Sequence, residues 1–216
     1  MKSADLFWAQ IASYNLDTWI GQLVLLAAGV VVTSVALSIP RRETRTALKL
    51  YLAALFAWLA IAFFWLHDRT WIGRVDTLLF LGIAALFVLD ARRDGSVFVL
   101  PSDALRRSLT VAIIVLVLAF PFLGMLQGRE LPYLLSPVMP CPAAAYALAL
   151  LASAAPRVNR LVSVPLLVWA VLAIPKMFGQ YGAREDTVLV LAGAYLGTVL
   201  AAQGLAARRT SRASPS

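Results

Sequence analysis

The sequence predicts an all-α membrane bundle of seven transmembrane helices with the N-terminus outside. Three observations carry this. The chain is 61% hydrophobic and 14% charged, with mean hydropathy +0.82, whereas a soluble domain carries about 25% charged residues. The apolar residues come in long blocks and do not alternate with polar ones. Basic residues concentrate in alternate connections.

A bilayer core of about 30 Å needs about 20 helical residues. Seven blocks meet or approach that length, at about 19–39, 48–66, 72–90, 109–126, 134–155, 162–178 and 188–207. Short connections leave no room for a soluble domain, so residues 1–207 form a single transmembrane domain and 208–216 a basic cytoplasmic tail. Before the first block, Leu6, Phe7, Ile11 and Tyr14 follow helical spacing, which predicts a short helix lying in the outer interface. No signal peptide is expected from the first residues.

With the N-terminus outside, the inner connections hold 13 basic residues against four acids, and the outer ones six against seven. The positive-inside rule then gives N-out and C-in. This places the net charge of +8 against anionic lipid at the cytoplasmic face. Charge spread over separate loops does not predict a nucleic-acid surface.

Helices one to three and five to seven share marks in the same order. Trp58 and Trp169 sit mid-helix, and "DTLLFL" from Asp76 parallels "DTVLVL" from Asp186. A 3+1+3 parallel repeat is compatible with these marks, and so is chance similarity between apolar segments.

The central thirds of the blocks carry no charge, which excludes a buried carboxylate relay. No lysine lies mid-way along the seventh block, which excludes a retinal Schiff base. No Walker A, HExxH or GxSxG motif is present, so no enzyme and no cofactor are predicted.

Polar residues gather at the outer helix ends instead. The candidate vestibule residues are Tyr14, Asn15, Gln22, His67, Asp76, Cys141, Lys176 and Asp186. Asp76 and Asp186 each precede Thr and an apolar run, a setting for helix N-caps or for the lining of an entrance. Lys176 fits a lysine snorkelling to the interface, or a cation facing a cavity beside an acid such as Asp186. His67 fits an interfacial hydrogen-bonding role or, with Asp76 or Asp186, a proton or metal site at the outer rim; Cys141 is the other candidate metal ligand.

Cys141, the one cysteine, lies between Pro140 and Pro142, with Pro137 just before. Two structures fit: a stiff helix start, or an unwound segment that protein or a wet cavity must cover. Gly193-x-x-x-Gly197 and Gly124-x-x-x-Gly128 fit close helix packing.

The order of these motifs resembles a family of small bacterial seven-helix membrane proteins of unknown function, some of them named as permeases. The residues carrying the likeness are Tyr14–Asn15, Trp19 and Gln22, "FFWLH" ending at His67, and "PFLGMLQGRELP" from Pro121 to Pro132. Pro140–Pro142, "PLLVW" from Pro165 to Trp169, and Asp186 complete it. Where the family is expected to carry threonines this chain has Ala143–Ala145 and Tyr146. The resemblance implies the same topology and no activity. The polar, proline-broken sequence at one face and the possible repeat point to a permease or channel-like protein of unknown substrate; the alternatives are a thiol-based metal or redox protein using Cys141, or a non-transporting accessory subunit.

Overall fold

In the computed structural model the described residues are 3–68, 70–175 and 182–213, and they are helical with no strand among them. Eight α-helices follow one another: α1 (Ser3–Ser38), α2 (Arg42–Trp58), α3 (Trp71–Arg93), α4 (Ala104–Leu118), α5 (Phe120–Leu126), α6 (Pro140–Ser153), α7 (Arg160–Pro175) and α8 (Thr187–Ala213). Four of the helical runs are long and apolar enough to cross a membrane, and five if α4 and α5 count as one broken span.

The predicted blocks and the helices differ where particular residues intervene. The expected interfacial helix is not separate: it is the first third of α1, which runs unbroken for 36 residues, because nothing between Ala4 and Ser38 breaks a helix. Its Ile11 and Tyr14 turn into the bundle while Trp19, Ile20, Leu23 and Val24 stay exposed. The fourth block is broken at Ala119, with 65° between α4 and α5. Pro121 explains the break, since it cannot donate to the carbonyl four residues back and its ring displaces that carbonyl.

The fifth block begins later than predicted. Residues 134–139 are not helical, and α6 starts at Pro140. From Pro142 to Ser153 every residue of α6 except Tyr146 is buried. A helix that is apolar on all sides belongs at the centre of a bundle, and α6 packs against α2, α4, α7 and α8.

The chain continues from α2 as a π-helical stretch, Leu59–Trp65. Its hydrogen bonds reach back five residues, as from the Leu66 amide to the Ile61 carbonyl and from the Asp68 amide to the Phe63 carbonyl. Such stretches shift side-chain register and recur at functional sites. Here the shift places Phe63 and Phe64 inside the bundle.

Close approach of α1 to α2 depends on small residues. A Cβ at Gly21 would stand 2.4 Å from the Trp58 ring, and one at Gly29 2.4 Å from the Tyr51 hydroxyl. Of the two expected glycine pairs, Gly193 meets α7 at Ala170, whereas a Cβ at Gly197 would meet open space. Gly128 sits at φ +78° in the turn after α5, a conformation that glycine adopts without cost.

Candidate functional site

The π-helical stretch, the start of α3, the first turns of α1 and the start of α6 enclose a cavity of about 640 Å³ at one end of the bundle. Phe63, Phe64, Met139 and Trp169 supply apolar wall, and His67, Asp68, Asp76, Cys141 and Asp186 supply the chemically active groups. Four of the eight predicted vestibule residues therefore come together there: His67, Asp76, Cys141 and Asp186. Lys176 lies outside the described residues.

Tyr14, Asn15 and Gln22 do not line the cavity; they hold its wall. The Tyr14 hydroxyl donates to the Val138 carbonyl at 2.8 Å and accepts from Trp58 Nε1 at 3.0 Å. The Asn15 amide donates to the Pro132 and Leu134 carbonyls at 2.7 and 2.8 Å. Gln22 Nε2 then donates to Asn15 Oδ1 at 3.2 Å and to Thr18 Oγ1 at 2.9 Å. These bonds satisfy carbonyls in the irregular segment before α6, which has buried Leu134, Leu135, Val138 and Met139 and no helical ladder of its own.

The Pro-Cys-Pro question resolves on the same segment. Met139 is the N-cap of α6, with φ −129° and ψ 163°, and Pro140, Cys141 and Pro142 are its first three helical residues. Amide hydrogens there have no partner inside the helix, so two prolines cost no hydrogen bond. The ladder begins as soon as they end, with the Ala143 amide on the Met139 carbonyl at 2.9 Å. The unwound part is residues 134–139, and the prolines fix where it stops. Cys141, half-buried, lies on the cavity side of this first turn.

His67 closes the cavity on the side of α1. Its Nε2 lies 3.1 Å from Asp17 Oδ2, its Nδ1 contacts the Ala62 carbonyl, and its ring meets Tyr14 edge-on. Its carboxylate partner is thus Asp17, not Asp76 or Asp186. Among the described residues no three His, Cys, Asp or Glu side chains are placed to hold one metal ion, so His67 and Cys141 do not form such a set.

The N-cap expectation needs correction for Asp76. Thr70 caps α3, its hydroxyl accepting from the Gly73 amide at 3.0 Å; Asp76 lies more than a turn inside the helix and half-buried. Asp186 ends the 3-10 turn Arg184–Asp186 immediately before α8. Beside it, the buried Glu185 carboxylate pairs with Arg129 and accepts from Gln127 Nε2 at 2.8 Å. Arg129 also stacks over the Trp8 ring, tying the loop after α5 to α1 and α8.

At the opposite end lies a cluster that sequence reasoning did not find. Lys49 on α2 and Asp90 on α3 both have 0% side-chain exposure. Lys49 Nζ is 2.9 Å from Asp94 Oδ1 and 3.8 Å from Asp90 Oδ2. Asp90 Oδ1 accepts from the Ser96 amide at 3.0 Å and from Asn159 Nδ2 at 2.8 Å. Asn159 Oδ1 in turn accepts from the Leu161 amide at the start of α7. Asp94 caps α3 in the left-handed conformation, φ 48°, and pairs with Arg45 at 3.4 Å. The Lys49 hydrogen bond, with the Lys49, Arg45 and Arg157 charges, holds the Asp94 carboxyl below the usual carboxylate range. A lysine seven residues into an apolar helix and an aspartate four residues before Asp94 were the available signals.

The family of unknown function DUF6064 matches residues 4–212, and the chain belongs to it. No curated protein and no solved structure matches the chain.

Proposed function

We propose that this member of a family of unknown function is a small multi-pass permease or channel-like protein of the bacterial inner membrane, whose outward-facing vestibule is the cavity beside Cys141. The reading takes seven membrane segments, counting α4 with α5 as one, and sets the N-terminus outside and the C-terminus inside. The basic end of the bundle then meets anionic lipid. It involves no chemical reaction on the solute. α6 has only 14 residues, or about 21 Å. With the protein-covered lead-in 134–139 it gains the remaining depth, as irregular backbone shielded by protein can.

The observation that carries the reading is the cavity itself: about 640 Å³, lined by aromatic and apolar side chains with a few convergent polar groups, the usual make-up of a small-molecule site. Polar groups of this kind cluster at one end of the bundle, where the alternate connections are poor in basic residues. Membrane-impermeant maleimide provides the test, because Cys141 is the one thiol in the chain. Cys141 is expected to label in sealed right-side-out vesicles and not in inside-out ones. The reverse pattern, or labelling only after denaturation, would remove the vestibule.

A further inference from the structure

Beneath the cavity the route through the bundle is filled, and the filling has an order. Phe64 and Trp169, both at the cavity, meet Phe80 with ring centroids 4.8 and 5.0 Å away. Phe80 meets Phe56 at 5.5 Å, and Phe56 stacks on Phe87 at 5.7 Å. One helical turn beyond Phe87 on α3 is Asp90, and two turns before Phe56 on α2 is Lys49. The aromatic column therefore runs between α2, α3 and α7 from the cavity to the buried ion cluster.

We propose that this column is the closed solute route and that Lys49, Asp90 and Asp94 form its inner gate; this rests on the permease reading above. Lys49 donates to the Asp90 main-chain carbonyl at 3.4 Å and has two carboxylate acceptors at unequal distance. It is bonded to Asp94 at 2.9 Å, while Asp90 Oδ2 waits at 3.8 Å, buried and without a hydrogen bond. A charge left unpaired in apolar surroundings is strongly destabilising. A displacement of about 1 Å toward Asp90 would give Lys49 a replacement partner as Asp94 leaves, so the cluster can part without that cost. Such a swap of partners is what a two-state element requires.

The parting surface is also defined. Asp94 draws Arg45 and Lys49 of α2 to the end of α3. The Val97 amide donates to the Arg157 carbonyl at 3.1 Å, and Arg157 reaches the Asp94 carbonyl. Releasing the Asp94 carboxylate thus loosens α2 from the end of α3, while the backbone of that end stays tied to the connection between α6 and α7. Asp94 can be neutralised without disturbing the backbone, because asparagine accepts the left-handed conformation as well as aspartate does.

Asp94→Asn is therefore the test, read by impermeant maleimide from either side of sealed vesicles. Opening is expected to slow labelling of Cys141 from outside. A cysteine placed by Ala53→Cys in a Cys141→Ser background, between Lys49 and Phe56, is expected to label faster from inside. Each change should be about fivefold or more, the lower range of coupling between distant sites. Unchanged rates at both positions in folded Asp94→Asn protein would overturn the gate. If Asp94→Asn does not fold, Arg45→Gln removes the 3.4 Å pair and is read in the same way. Failure of Cys141 to label from outside in the unmodified protein instead refutes the vestibule, so the two failures are distinct.

Discussion

Removing the Asn15 side chain by Asn15→Ala tests whether α1 holds the cavity wall. Two donated hydrogen bonds end on the Pro132 and Leu134 carbonyls, 2.7 and 2.8 Å from Asn15 Nδ2. Each net hydrogen bond is worth about 0.5–1.5 kcal/mol, and interhelical ones in membranes average about 0.6 kcal/mol. The loss is then about 1–3 kcal/mol. Asn15 is half-buried, which places the expectation away from the upper limit. Thermal unfolding in detergent, followed by a thiol-reactive dye, reads the effect, because the single thiol reports on the very segment that Asn15 holds. The unfolding temperature should fall, and Cys141 should react faster below the transition as residues 134–139 loosen. Asn15→Asp, which sets acceptor oxygens against carbonyls, should cost more than Asn15→Ala. An Asn15→Ala protein with unchanged unfolding temperature and unchanged Cys141 reactivity would refute the assignment of Asn15 as a wall support.

Three further outcomes are expected. Gly95→Ala should destabilise by about 1–3 kcal/mol through overpacking, since its Cβ would stand 2.4 Å from Asp90 Oδ1, whereas Gly197→Ala, facing open space, should be near neutral by the same unfolding assay. Arg129→Gln should cost about 3–5 kcal/mol by leaving the buried Glu185 carboxylate without its cation, and adding Glu185→Gln should recover a large part of the loss in a double-mutant cycle. The lowered Asp94 carboxyl contributes stability that is complete above its unfolded value of about 3.9 and disappears as pH falls through the lower folded value. Unfolding temperatures stepped through this acid range should fall more steeply for the wild type than for Asp94→Asn.

How far the sequence reveals the fold depends on which physical signal each part leaves in it. Hydropathy locates the apolar runs because each helix must hide its backbone polar groups. It does not locate the interruptions. Pro121 breaks the fourth block, yet a proline within an apolar run is also tolerated without a break, as Pro165 is inside α7. Residues 134–139 are mostly apolar, and Pro137 marks a break without defining its path, which is held by Tyr14 and Asn15, more than a hundred residues earlier in the chain. No local pattern contains that information.

The cavity was legible in part for a similar reason. His67, Cys141 and Asp186 stand at helix ends, and Asp76 little more than a turn inside α3, on the side of the bundle where these ends gather, so polarity and position suffice to group them. Tyr14, Asn15 and Gln22 share that position, but which way each side chain faces depends on the rotation of α1 against α2, fixed by Gly21 and Gly29 against Trp58 and Tyr51. The ion cluster at the other end was hidden by the counting of charges by loop. Lys49 and Asp90 read as members of a basic inner face, but each is folded inward against a partner some forty residues away.

Permeation through the cavity is the central claim, and flux in proteoliposomes tests it most directly. Swelling or uptake is measured for small neutral, cationic, anionic and zwitterionic solutes, with and without a bulky impermeant maleimide on Cys141. The account predicts protein-dependent permeation of at least one solute class. That flux should be blocked by modification of Cys141 and unaffected by the same reagent in Cys141→Ser. Flux equal to that of protein-free vesicles across all classes, or flux that persists with Cys141 fully modified, would contradict it.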